Sequence, residues 1–170
     1  MIGEEKTVAI QQFAMNMVGR LAAVFPEVFL YWCFLLEDAG DHYYKACADG
    51  SNIHPLFKKV SKIHIVEEGR HISFSKLWIA KNLPNAPWYR RLALEISAPL
   101  IAKSMDTVVR NIDRDITAQN DVPAEVKKEI NQHPLTAKKC RIALHNSISF
   151  SKKVGIVNRR NQFLWRSLKL

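Results

Sequence analysis

The sequence predicts an all-α fold, a helical bundle within a single domain over residues 1–170. Three observations carry the prediction. Apolar residues recur at intervals of three and four along most of the chain, and no run alternates long enough for a half-buried strand. Prolines and clusters of Asp, Gly, Ser and Asn punctuate the periodic stretches at helix-length intervals.

Each element follows from that pattern. Between Lys6 and Ala23 the residues Val8, Ile10, Phe13, Met17, Val18 and Leu21 form one stripe, which makes a first amphipathic helix. Pro26 suits the first turn of a second helix, where a missing N–H costs nothing, and the pattern runs to about Ala48 before the turn residues Asp49-Gly50-Ser51-Asn52. His54-Pro55 opens a third helix to about Asn82, because Pro84 and Pro87 forbid continuation soon after. A fourth helix spans roughly Trp88 to Ala118, with a kink expected at Pro99. Asp121-Val122-Pro123 starts a short fifth, Leu135 to Lys153 reads as a sixth, and a short terminal segment remains.

Composition narrows the class. With 48% hydrophobic and 24% charged residues the chain has the makeup of an ordered globular protein. The apolar stretch from Leu21 to Leu36 is broken by Pro26 and Glu27 and is shorter than the roughly 20 residues of a membrane span. The acidic opening Glu4-Glu5 is not a secretory signal, so the expected location is cytoplasmic. Cys33, Cys47 and Cys140 follow no ligand spacing and fit reduced thiols. No Gly-rich phosphate loop or Cys-x-x-Cys pair is present. Residues 1–129 balance 16 basic against 16 acidic side chains, so the whole net charge of +9 comes from the last 41 residues. That tail contains Arg159-Arg160-Asn161-Gln162-Phe163-Leu164-Trp165-Arg166. Basic residues with interleaved aromatics are compatible with nucleic acid. The ordinary role, a terminal helix docking Phe163, Leu164, Trp165 and Leu168 on the body, is the one expected here.

The chemistry concentrates in His64-Ile65-Val66-Glu67-Glu68-Gly69-Arg70-His71. With His64 at zero, Glu68 lies about 40° to one side and His71 about 20° to the other, so three metal-capable side chains share one helix face. Upstream, Glu37 ends the apolar run from Val28 to Leu36, where an unpaired charge is expensive. Glu37 and Glu68 lie at similar chain distances on either side of the turn at Asp49 to Asn52. An antiparallel pair therefore brings both to one height, roughly 20 Å from the turn at 1.5 Å per residue. A Glu facing a Glu-x-x-His on the neighbouring helix is half of the ligand set of carboxylate-bridged di-iron bundles. Such oxygen and imidazole donors suit iron or manganese. Cys33, Phe34, Asp41 and Tyr44 share the Glu37 side of its helix and are candidates to line a substrate pocket. The face around Leu30, Cys33 and Phe34 is expected to be exposed if the bundle is incomplete.

These residues resemble the p-aminobenzoate N-oxygenase family of ferritin-like di-iron oxygenases. The likeness rests on His64-Ile-Val-Glu-Glu68-Gly-Arg-His71-Ile-Ser-Phe, on Phe34-Leu35-Leu36-Glu37-Asp38, and more loosely on Leu164-Trp165-Arg166. The resemblance implies a ferritin-like bundle in which Glu37 bridges or caps the iron pair, Glu68 bridges it, and His64 and His71 are terminal ligands. It also implies dioxygen, a small organic substrate such as an arylamine, and an electron donor. The family places a further Glu and a further Glu-x-x-His on two preceding helices. Here Glu68 is the one Glu with His at the third following position, and nothing upstream of Glu37 supplies the rest. The chain then reads as the C-terminal portion of a longer family domain, or as half of a homodimer in which two copies complete the site. The alternative is a non-catalytic metal-binding or basic nucleic-acid-binding helical protein.

Overall fold

The computed structural model describes residues 16, 18–119 and 122–167, excluding the side chains of 106, 108–119, 130–132, 134–137, 139 and 140. Among the described residues every regular element is helical. Residues 18–24 end a first helix, α1. It is followed by α2 (Pro26–Asp49), α3 (Pro55–Asn82), a short 3-10 turn at Leu83–Asn85, α4 (Trp88–Gln119), α5 (Ala124–Gln132), α6 (Pro134–Lys153) and α7 (Gln162–Ser167). The expected starts at Pro26, Pro55 and Trp88 and the expected end at Asn82 coincide with these bounds. The first helix before residue 16, Asp121, the Cys140 side chain and Leu168 lie outside the described residues.

Local chemistry sets the boundaries. Pro26 and Pro55 occupy first turns, where their fixed φ suits the helix. His54 Nδ1 accepts the Leu56 N–H at 3.2 Å and caps α3. Pro99 lies inside α4, which is helical on both sides of it, and is fully buried. Gly155, at φ +80°, takes the left-handed conformation that ends α6 cheaply only for a residue without Cβ.

α2 sits at the centre, packed against α3, α4 and α6, most extensively against α3. Its fully buried Tyr31, Phe34 and Leu35 meet Ile79 of α3, Leu94, Ala98 and Ala102 of α4, Leu144 of α6, and Ile156 beyond it. Phe34 meets Phe150 edge-on at 5.3 Å and Tyr31 at 6.2 Å between centroids, and the Lys76 ammonium lies 5.0 Å over its ring. The expectation of an exposed face around Leu30, Cys33 and Phe34 is therefore corrected. Phe34 is core, while Leu30 and Cys33 are half-buried. Exposed large apolar side chains are most numerous on α3, including Leu56, Val60, Ile63, Phe74 and Leu77, and on α4, including Trp88, Leu92, Ile96 and Leu100.

A polar seam joins α2 to α6. Ser147 donates its hydroxyl to the buried Asp38 carboxylate, Ser151 donates to the Ser147 carbonyl at 2.6 Å, and Tyr31 and Ser151 share a hydrogen bond of 2.8 Å. Every member has a partner, as burial demands. The tail docks through one anchor. Trp165 is buried and Leu164 half-buried, but Phe163 is 65% exposed, so the docking expectation is corrected for Phe163. A single short turn of helix presents one face to the body, and Trp165 takes it. Among the described residues no helix is long and apolar enough to cross a membrane.

Candidate metal centre

α2 and α3 run antiparallel through the short connection at 50–54, and three α2 residues each meet one predicted α3 ligand. Glu37 Oε1 lies 3.2 Å from His71 Nδ1. Gly40 lies against Glu68, so close that a Cβ at position 40 would sit 3.4 and 3.5 Å from the two carboxylate oxygens. The Tyr44 ring stacks on the His64 imidazole with centroids 4.6 Å apart and planes 15° from parallel. The paired numbers 37 and 71, 40 and 68, 44 and 64 add to one total, as antiparallel register requires. Steps of three and four along α2 keep all three on one face. The middle of the α2–α3 seam is thus polar where an ordinary bundle carries aliphatic residues.

Burial and charge make this seam unusual. α2 buries three other carboxylates, and each has a partner. Glu27 takes two hydrogen bonds from Arg90, Asp38 one from Ser147, and Asp41 pairs with Lys45 at 2.6 Å. Glu37 and Glu68 differ. Glu37 Oε2 and Glu68 Oε2 are buried without a hydrogen-bond partner. Burial pushes the Glu37 carboxyl above the usual carboxylate range, with His71 pulling the other way. Burial also raises Glu68, where His64 and His71 oppose the shift and Asp41 and Glu37 reinforce it. Two carboxylates that share one site without a resident cation resist ionisation together.

The donor set fits a hard divalent cation, on the evidence of those two unpartnered oxygens between two imidazoles. As placed, no three His, Cys, Asp or Glu side chains among the described residues gather closely enough to hold a metal ion. The reason is visible in the pairs. His71 is engaged by Glu37 and His64 by Tyr44, so the donors are strung along the seam rather than closed on a point. Glu67 is exposed, whereas Glu68 faces α2.

The pocket candidates separate by environment. Phe34 belongs to the core, fully buried against Tyr31 and Phe150 with the Lys76 ammonium over its ring. Asp41 is buried in its pair with Lys45 beside Glu68, and Tyr44 is occupied by His64. Cys33 is half-buried one turn before Glu37, its thiol pushed up by burial and then by the Glu37 charge. Gly40 and Asp38 were not visible as site residues from sequence. A glycine three positions after Glu37 inside a helix is the one signal that pointed to the close approach, since mid-helix Gly costs about 1 kcal/mol relative to Ala. The basic tail residues Arg159 and Arg160 line a cavity of about 550 Å³ with Trp88 and Arg91, away from this seam.

Comparison with known proteins adds a lineage. The family model described as P-aminobenzoate N-oxygenase AurF matches residues 4–155. Uncharacterised proteins of Mycobacterium bovis and Mycobacterium tuberculosis are 27% identical over 156 residues, covering 91% of this chain and 46% of theirs. The chain thus spans about half the length of the curated relatives it matches. No solved structure matches it.

Proposed function

The chain belongs to the p-aminobenzoate N-oxygenase AurF family, and from that membership we propose that its α2–α3 seam is half of a di-iron centre that oxidises a small organic molecule with dioxygen. Glu37, His64, Glu68 and His71 hold the metal, iron in the first place and manganese as the alternative. The carrying observation is the pair of buried, unpartnered oxygens, Glu37 Oε2 and Glu68 Oε2, between the two histidines. When bound, the iron pair supplies the electrons and Lewis acidity that dioxygen activation needs.

The chain's own residues contribute binding, orientation and exclusion of water. Glu37 and Glu68 bring negative charge that a bound cation compensates. The 3.2 Å approach of His71 Nδ1 to Glu37 Oε1 keeps both side chains on the shared face before loading. Ile72, the neighbour of His71 in sequence, is buried in the hydrophobic core behind the ligand helix. The remaining Glu and Glu-x-x-His of the family set come from another polypeptide segment. A segment corresponding to the other half of the longer relatives fits better than a second copy, because this ligand face belongs to the second half of the family's bundle. The proposed substrate is a small arylamine, oxidised at nitrogen, with dioxygen and an electron donor as partners and the cytoplasm as location.

Metal content tests the reading. Protein produced under iron-replete conditions is expected to carry iron or manganese by elemental analysis, and Glu68→Ala or His71→Ala to lose most of it. Wild-type protein without transition metal, or unchanged loading in both variants, would overturn the assignment.

A further inference from the structure

The register of the α2–α3 pair assigns a counterpart to every proposed α3 ligand, and two of those counterparts are not ligands. Tyr44 carries an aromatic ring parallel to the His64 imidazole at 4.6 Å. A Cβ at position 40 would touch both Glu68 carboxylate oxygens at ordinary contact distance, 3.4 and 3.5 Å. Tyr44 is half-buried at the far end of the helix from the main core, and a mid-helix glycine weakens α2 without relieving any positive φ. A histidine ligand is usually oriented by what contacts the rest of its ring, and such supporting residues are worth a large share of metal affinity.

We propose that Tyr44 and Gly40 are positioning residues, in which the Tyr44 ring fixes the plane of His64 and Gly40 gives the Glu68 carboxylate the room to turn toward the metal. This rests on the metal reading above. A half-buried imidazole has several rotamers open to it, and the parallel Tyr44 ring at 4.6 Å restricts them. The imidazole edge, where both nitrogens lie, is left clear. A methyl group at position 40 would rest against both Glu68 oxygens at ordinary contact distance. Such a contact leaves the fold intact and confines the carboxylate.

Two measurements on the full chain test this. In metal-free protein, histidine carbon–proton NMR spectra should show the His64 ring protons shifted upfield by the Tyr44 ring, unchanged in Tyr44→Phe and released in Tyr44→Leu. Cobalt(II) titration followed by visible absorption should then show Tyr44→Phe close to wild type and Tyr44→Leu weaker by about tenfold. In a His64→Ala background Tyr44→Leu should change nothing further, because Tyr44 acts through that ring. Gly40→Ala should move two properties in opposite directions, raising the melting temperature by about 2–4 °C while weakening cobalt binding. His64 resonances indifferent to Tyr44→Leu would overturn the proposal. So would a cobalt affinity that survives Tyr44→Leu and Gly40→Ala, or one that falls equally in Tyr44→Phe. A wild-type chain that shows the stack yet takes up no cobalt would overturn the metal reading and the positioning role with it, and the NMR result identifies that case.

Discussion

Glu27 is 1% exposed, yet it is an ordinary structural acid, because Arg90 reaches it from α4 with Nε 2.9 Å from one oxygen and a terminal nitrogen 2.8 Å from the other. Breaking such a pair strands a buried charge, at about 3–5 kcal/mol when both partners are buried. Arg90 is 23% exposed at its side chain, so Arg90→Ala is expected to lower stability by about 2 kcal/mol in urea unfolding. A loss below roughly 0.5 kcal/mol, the usual scale of surface changes, would contradict this account. Tyr31 is the corresponding neutral case. Burial holds its phenol well above the usual range, opposed weakly by the Ser151 hydrogen bond. A raised folded value means the folded state keeps its proton while the unfolded chain loses it. The stabilisation is complete below the unfolded value of about 10 and is lost as pH rises from there through the folded value. Melting temperature should therefore fall more steeply above about pH 10 in wild type than in Tyr31→Phe. Parallel curves would refute it.

At the scale of elements, the segment after α6 is a built corner rather than a loose end. The Asn158 side chain accepts the Arg160 and Asn161 N–H groups at 2.9 and 3.3 Å. The Asn161 amide donates to the Ile156 and Glu95 carbonyls at 2.7 and 2.9 Å, which bolts the corner to α4. Trp165 then packs into the body. Asn161→Ala would leave these carbonyls without that donor and is expected to cost about 2 kcal/mol. Deletion from Asn158 onward should lower the melting temperature clearly while leaving metal content per chain as in wild type. Deletion without thermal effect, accompanied by loss of nucleic-acid binding, would shift the tail's role from docking to recognition.

For the whole molecule, the proposed ligands and the uncovered apolar residues lie on neighbouring faces of α3. His71 is 65% exposed at its side chain, and Ile63, Phe74 and Leu77 of the same helix are 53%, 59% and 72% exposed. A helix carrying several exposed large apolar side chains is normally covered by another element. The chain alone is therefore expected to associate in solution and to hold an incomplete metal complement. Sedimentation combined with iron counting checks both. A stable monomer with two irons that oxidises an arylamine in a single turnover would contradict the need for further ligands.

Helix limits were legible in the amino-acid sequence because their causes are local. Pro26, Pro55, Pro84 and Pro87 act through their own φ and missing N–H, and the apolar periodicity of α2 reports burial on one side of its own axis. The shared face of His64, Glu68 and His71 was legible for the same reason, since 3.6 residues per turn fixes it before any packing occurs. Tertiary structure alone decided which residues meet. Phe34 and Cys33 are adjacent in sequence and equally apolar, yet Phe150 and Lys76 enclose the first and leave the second at the edge. Glu27, Glu37, Asp38 and Asp41 of α2 look alike in the sequence, and only the positions of Arg90, Ser147, Lys45 and His71 separate three satisfied acids from one with an oxygen left over. The register that sets Gly40 against Glu68 and Tyr44 against His64 depends on the axial shift between two helices. Only the packing of α2 against its neighbours determines that shift, because periodicity within either helix carries no information about the other.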